Sequence, residues 1–172
     1  MDGAGRILVF GYGNPGRGDD GLGPLVAAAV RSLSLPLVDV ESDYQLNVED
    51  AVSVCDHAAV IFVDADLHAP RPFRFSTVES VCYLGISGHT ATPGEIVRVA
   101  RDLFGEEPAA YVLGVRGYEF GEFHESLSSQ ARANLREALA FLSWALRERR
   151  FEEYVRAYGG HQETAALAGG GR

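Results

Sequence analysis

Short apolar runs alternate with amphipathic stretches along this chain, and the two periodicities predict alternating strands and helices. Residues 6–10 read as a first strand, and residues 22–33, rich in Ala, Val and Leu, as a first helix. Residues 37–40 form a short second strand. Residues 47–55 follow as a helix, opened by Asn47 as N-cap with Asp50 three positions on. Residues 58–63 are apolar throughout, the pattern of a central strand covered on both faces. Residues 72–78 alternate and suggest a fourth strand nearer an edge. Thr92-Pro93-Gly94-Glu95 is a capping box with Pro at the first helical position, starting a helix to about Phe104. Residues 110–115 give a fifth strand. Residues 128–150 give a long amphipathic helix whose stripe is Ala131, Leu135, Leu139, Leu142 and Leu146.

Strands alternating with helices imply an α/β fold, a three-layer sandwich around a mostly parallel twisted sheet. The chain reads as one domain over residues 1–158. A glycine-rich tail at 159–172 is expected to be mobile. Open parallel sheets place their sites beyond the carboxyl ends of the strands, near the switch in strand order. With a strand order of 2-1-3-4-5, strands one and three are neighbours. Three places are then selected: the loop after strand one, the end of strand three, and the loop after strand four.

The first loop reads Gly11-Tyr12-Gly13-Asn14-Pro15-Gly16-Arg17-Gly18-Asp19-Asp20-Gly21-Leu22-Gly23. Gly11, Gly13 and Gly16 spell the dinucleotide fingerprint. That fingerprint seats pyrophosphate at a helix N-terminus, where Asp19 and Asp20 would repel it. A carboxylate pair there suits a metal ion or an activated water. Asp20 can equally serve as an N-cap for the first helix, and the two acids can divide the labour, one capping and one facing the crevice. At the end of strand three, Asp64 follows Val60-Ile61-Phe62-Val63 without a break. A carboxylate there is costly unless paired, hydrogen-bonded or metal-bound; the alternative role is capping the next turn. Asp66 and His68 lie further out. In the third loop, His89 sits among Gly85, Ser87, Gly88 and Thr90, where it can act as ligand or base. Asp20, Asp64 and His89 together suit a divalent first-row metal such as nickel, zinc or manganese.

Bulk properties narrow the function classes. The chain has 172 residues, 47% hydrophobic and 23% charged, with a net charge of −9. That balance opposes binding to nucleic acid or to an anionic membrane surface. No apolar run approaches the ~20 residues of a membrane span. Met1 to Arg6 lead into the first strand without a secretion-signal pattern, so a cytoplasmic location is expected. Cys55 and Cys82 make neither a disulfide framework nor a zinc site.

The motifs, taken in order, resemble those of the [NiFe]-hydrogenase maturation endopeptidases. The matching pieces are Gly11-Tyr12-Gly13-Asn14-Pro15-x-x-x-Asp19-Asp20-Gly21-x-Gly23, Phe62-Val63-Asp64-Ala65 and Ser87-Gly88-His89. A fourth is Leu113-Gly114-Val115 leading to Phe120-Gly121-Glu122 and Leu127-Ser128. The resemblance spans residues 6–147. One departure is Gly88-His89-Thr90, where relatives often have Ser before the histidine and a bulkier residue after it. The resemblance implies a phosphorylase-like or hydrolase-like α/β fold and an endopeptidase that removes a C-terminal extension from the nickel-loaded hydrogenase large-subunit precursor. It implies metal-contacting and catalytic roles for Asp20, Asp64 and His89, with Gly13, Asn14, Asp19 and Gly21 supporting the loop. Nickel would arrive on the precursor rather than reside in the protein. The partner would be the precursor, met transiently by a monomer. The attacking water could be activated by metal or by a carboxylate. Three competing readings are a non-cleaving nickel-checking binder of the large subunit, a peptidyl-tRNA hydrolase-like enzyme, and a Rossmann module using Asp39 or Glu41 as ribose acid. The acids after Gly16 and the acidic chain oppose the last two.

Overall fold

A computed structural model describes residues 5–78, 91–121 and 125–159. The 85–90 loop with His89, Cys82, and the tail beyond Gly159 lie outside the described residues. Five strands form one sheet: β1 (Ile7–Tyr12), β2 (Val38–Asp43), β3 (Ala59–Asp66), β4 (Phe73–Thr77) and β5 (Ala109–Arg116). Five helices accompany them: α1 (Leu22–Ser32), α2 (Ala51–Cys55), α3 (Pro93–Val99), α4 (Ser129–Glu148) and α5 (Phe151–Tyr158).

The predicted caps hold. Thr92 Oγ1 accepts the Glu95 N–H while the Glu95 carboxylate accepts the Thr92 N–H, and Asn47 and Asp50 form a second reciprocal box. The long last helix, read over residues 128–150, is α4, and a further short helix that was not expected, α5, follows it. Arg149 takes a left-handed conformation at φ 56°, ending α4 and turning the chain so that α5 folds back on β4. The reward is aromatic packing: Phe151 and Tyr154 meet Tyr111, Phe75 and Phe141 under the sheet.

The strand order is β2-β1-β3-β5-β4, not 2-1-3-4-5, and β4 runs antiparallel to β5. The connection explains both corrections. Residues 67–72 join β3 to β4, and a parallel return needs a crossover of about a dozen residues or more. β4 must therefore run back along the sheet. The chain then passes through α3, a crossover long enough to bring β5 in parallel beside β3. β4 is left as the antiparallel edge.

Alternation along the buried strands sorts the core into two layers. Ile7, Val9, Ile61, Val63, Leu113 and Phe75 face α1, α4 and α5. Leu8, Phe10, Val60, Phe62, Ala110 and Val112 face α2 and α3. The chain leaves β1 toward β2 on one side and returns to β3 on the other, so the switch point lies between the carboxyl ends of β1 and β3. Close approach there demands glycine: a Cβ on Gly23 would stand 2.2 Å from the Tyr12 carbonyl oxygen and 2.5 Å from that of Val63. Helix α1 thus begins pressed against both strand ends.

Candidate active site

Asp20 and Asp64 meet at this switch point. The chain leaves β1 through Gly13, whose φ of 133° suits glycine alone, and whose Cβ would fall 2.0 Å from the Asp20 carbonyl oxygen. Asn14 then folds the loop on itself: its side-chain oxygen accepts the Gly16 N–H at 2.9 Å. A 3-10 turn, Gly18–Gly21, carries both acids before α1 starts. Asp20 caps neither that turn nor α1, which answers the N-cap alternative. Its Oδ2 accepts the Asn14 N–H at 2.9 Å, pinning the loop across its mouth.

Asp64 stands on the α2/α3 face of β3, continuing the row of Val60 and Phe62. Its Oδ1 accepts the N–H of the next residue, Ala65, at 2.7 Å. Burial dominates its pKa and raises it, opposed by the Ala65 N–H and the nearby Tyr12 hydroxyl and reinforced by the charges of Asp20 and Asp66; the result is pushed up to about 6. Tyr12 was not among the sequence candidates. Its phenol is raised by burial and by the Asp64 charge beside it. The signal that finds it is register: Gly11 pairs with Val63, so the next residues on the two strands, Tyr12 and Asp64, stand side by side.

Asp19 has a different task. It is fully buried. One carboxylate oxygen accepts the Ser128 N–H at 2.7 Å; the other accepts the Tyr118 and Glu119 N–H groups at 2.8 and 2.9 Å and the Ser128 hydroxyl at 2.7 Å. Burial alone would raise its pKa, but the N–H groups of Glu119, Ser128 and Tyr118 and the Ser128 hydroxyl outweigh it, and the carboxyl falls below the ordinary range. Asp19 therefore points away from the phosphate position assumed for it, and Asp20 alone faces the crevice. Neither acid caps a helix, so the expected division into one cap and one crevice acid is not found; Asp19 instead clamps the loop to the chain before α4. Gly21 stays buried against Pro15, its Cβ position 3.0 Å from the Pro15 Cα.

Asp66 also serves structure. Its Oδ1 accepts the N–H groups of His68 and Ala69 at 2.7 and 2.9 Å, and Arg74 stands 4.0 Å from its Oδ2. His68 is exposed. Asp39, the would-be ribose acid, pairs with Arg6 and His57, and the hydrogen bond from Arg6 leads in lowering it to about 2.

The reason for placing His89 at this crevice changes. β4 runs antiparallel, so its carboxyl end lies at the end of the sheet opposite the carboxyl ends of β1 and β3. His89 itself is outside the described residues. The residues after it, however, do reach the crevice side: Ala91 N–H donates to the Leu46 carbonyl, just beyond β2, and Thr92 opens α3 there. Among the described residues no three His, Cys, Asp or Glu side chains converge as a metal site. Two carboxylates remain, one of them poorly solvated, and oxygen donors of that kind accept a divalent first-row cation when an imidazole completes the set.

No protein family matches the chain at the sequence level, and no curated protein is detectably similar. Solved structures are similar in fold. The hydrogenase maturating endopeptidase HybD from E. coli superposes with a TM-score of 0.67 at 24% identity, over 84% of this chain and 94% of that one. The [NiFe] hydrogenase maturation protease HycI from Thermococcus kodakarensis KOD1 gives 0.66 at 22%, over 83% and 92%. A hydrogenase 2 maturation peptidase from a Thaumarchaeota archaeon gives 0.60 at 22%, over 82% and 97%. The expected α/β fold is the one these proteins share. No described helix is long and apolar enough to cross a membrane.

Proposed function

We propose that this protein is a hydrogenase maturation endopeptidase, which removes a C-terminal extension from the nickel-loaded large-subunit precursor. One observation carries the reading. The fold shared with hydrogenase maturation proteases brings Asp20 and Asp64, two acids that resemble that family's site, to one switch point, while Asp19 is spent on structure. Nickel belongs to the substrate. Asp20, Asp64 and His89 contact it on the docked precursor, so that only a loaded client is held with its scissile bond at the crevice.

The chemistry required is peptide hydrolysis. Water adds to the scissile carbonyl, a carboxylate of the pair takes the proton, and the C–N bond breaks as that proton passes to the leaving amine. The Tyr12 hydroxyl lies beside the Asp64 carboxylate. The Asn14 N–H holds the Asp20 carboxylate. The experiment mixes the purified protein with nickel-loaded and with nickel-free precursor and follows the mass of the large subunit. Trimming of the loaded form alone is expected. Binding without trimming would favour the non-cleaving nickel-checking role, and trimming of both forms would remove nickel from the recognition step.

A further inference from the structure

The α2/α3 layer, on the face of the sheet where Asp64 stands, carries apolar side chains that the core does not use. Helix α3 and the residue after it lay Ile96, Val97 and Ala100 into that layer of the core. At a spacing of three and four residues, the next positions on the stripe are Leu103 and Phe104. Both stand in solvent instead, 72% and 46% exposed. The cause is local. Ala100–Phe104 is a π-helical turn, whose wider i→i+5 register turns less per residue and carries the end of the stripe off the core. Such turns are rare and recur at functional sites.

Helix α2 packs beside that turn and extends the surface. Val48 and Val52, four residues apart and so on one face, are exposed as well. The strip begins at Val48, just after Leu46, whose carbonyl takes the Ala91 N–H on the crevice side. It runs down α2 to Leu103 and Phe104. Its margin is acidic and exposed, with Glu49, Asp56, Asp102, Glu106 and Glu107. Arg101 pairs with Asp102 and Glu107, while Glu49, Asp56 and Glu106 have no ion-pair partner among the described residues. Cys55 feels the field of that margin: burial raises its thiol first, and the charges of Asp56 and Glu106 raise it further. Two copies of this chain meeting through the strip would bring two acidic margins together. A partner whose apolar patch is bordered by arginine and lysine meets both the centre and the margin.

We infer that this strip is a docking surface for the folded body of the large-subunit precursor, through an apolar patch of the client with a basic border. The inference rests on the endopeptidase reading for the identity of the partner. The strip starts at the crevice and lies on the Asp64 face of the sheet. A client held along it keeps its C-terminal segment at the carboxylates. Recognition is then divided, the crevice taking the segment to be cut and the strip taking the body of the client.

The test uses the full chain and nickel-loaded precursor, with affinity read by biolayer interferometry and trimming by mass. Leu103→Gln/Phe104→Gln changes two exposed positions outside the core. It should weaken binding about tenfold and raise KM about tenfold, with kcat unchanged. Glu106→Gln should weaken binding about twofold and lose less affinity on added salt than wild type does. Trp144→Gln, at an exposed aromatic of α4 on the other face of the sheet, should change neither affinity nor KM. Unchanged affinity in the double variant, an equal loss at Trp144, or wild-type salt dependence in Glu106→Gln would overturn the docking surface. A wild-type dimer in light scattering that the double variant dissolves would also overturn it, by giving the strip to a second copy. If the wild-type protein binds the precursor without trimming it, the endopeptidase reading fails by itself and the affinities still decide the strip. If it does neither, both fall.

Discussion

Asp19 and Asp64 sit on opposite faces of one sheet, a few residues from the same switch point; Asp19 is fully buried and Asp64 half-buried, and they are carboxylates of opposite kinds. Asp19 lies toward α4, where three N–H groups and a hydroxyl converge on its two oxygens. It pays for its desolvation in full and holds the glycine loop to the chain before α4. Asp64 lies toward α3, with a neighbouring N–H and one phenol nearby, and its pKa rises to about 6. The lesson is that burial alone does not mark a functional acid. What marks it is burial left uncompensated, because the missing partner is then something the protein binds.

The largest expected effect breaks the satisfied side. Asp19→Asn places an amide where four donors point, and should cost about 3 to 5 kcal/mol in chemical denaturation at pH 7. For wild type, the depressed pKa of Asp19 means its contribution is complete above the ordinary aspartate value of 3.8 and is lost as pH falls through its lower folded value. A cost that stayed the same at pH 2.5 would show that Asp19 acts through shape and not charge.

Asp64→Asn should move the other way. An acid raised from 3.8 to about 6 keeps its proton longer in the folded state. Its ionisation therefore costs stability above about pH 6, and nothing below 3.8. The variant should gain roughly 2 to 3 kcal/mol at pH 8 and nothing at pH 3.5, with precursor trimming lost at both. Destabilisation at pH 8 would return Asp64 to the role of a turn cap.

Smaller changes sharpen the contrast. Ser128→Ala removes the N-cap of α4 and one hydrogen bond to Asp19, while the Ser128 N–H still reaches it. About 1 to 2 kcal/mol should be lost, less than at Asp19, as read from the same denaturation curves. Tyr12→Phe should change stability by less than about 1 kcal/mol. It should raise the acidity midpoint of Asp64 further, because the phenol that favours its charged form is gone. A midpoint that fell would remove Tyr12 from the site.

Much of this arrangement was legible in the residues, for local reasons. Capping boxes at Asn47 and Thr92 and the uninterrupted run before Asp64 are short-range signals, and they placed helices and a central strand correctly. Asp20 and Asp64 were found because strand ends at a switch point are a general rule of open sheets. Asp19 could not be told from Asp20, since its partners at 118, 119 and 128 are about a hundred residues away and no pattern within the loop announces them. The direction of β4 was missed although the short connection at 67–72 encodes it. Tyr12 was missed because its role depends on register between strands, not on the motif it sits in. The short helix α5 was missed because it lies beyond the long stripe read over residues 128–150.

The contrast between the two acids can be measured directly by following the side-chain carboxyl ¹³C shifts of Asp19 and Asp64 in the wild-type protein from acid to neutral pH. Asp64 should titrate with a midpoint near 6 and Asp19 below 3.8. An Asp64 midpoint at or below the ordinary value, with Asp19 above it, would contradict the account and move the candidate site to the other face of the sheet.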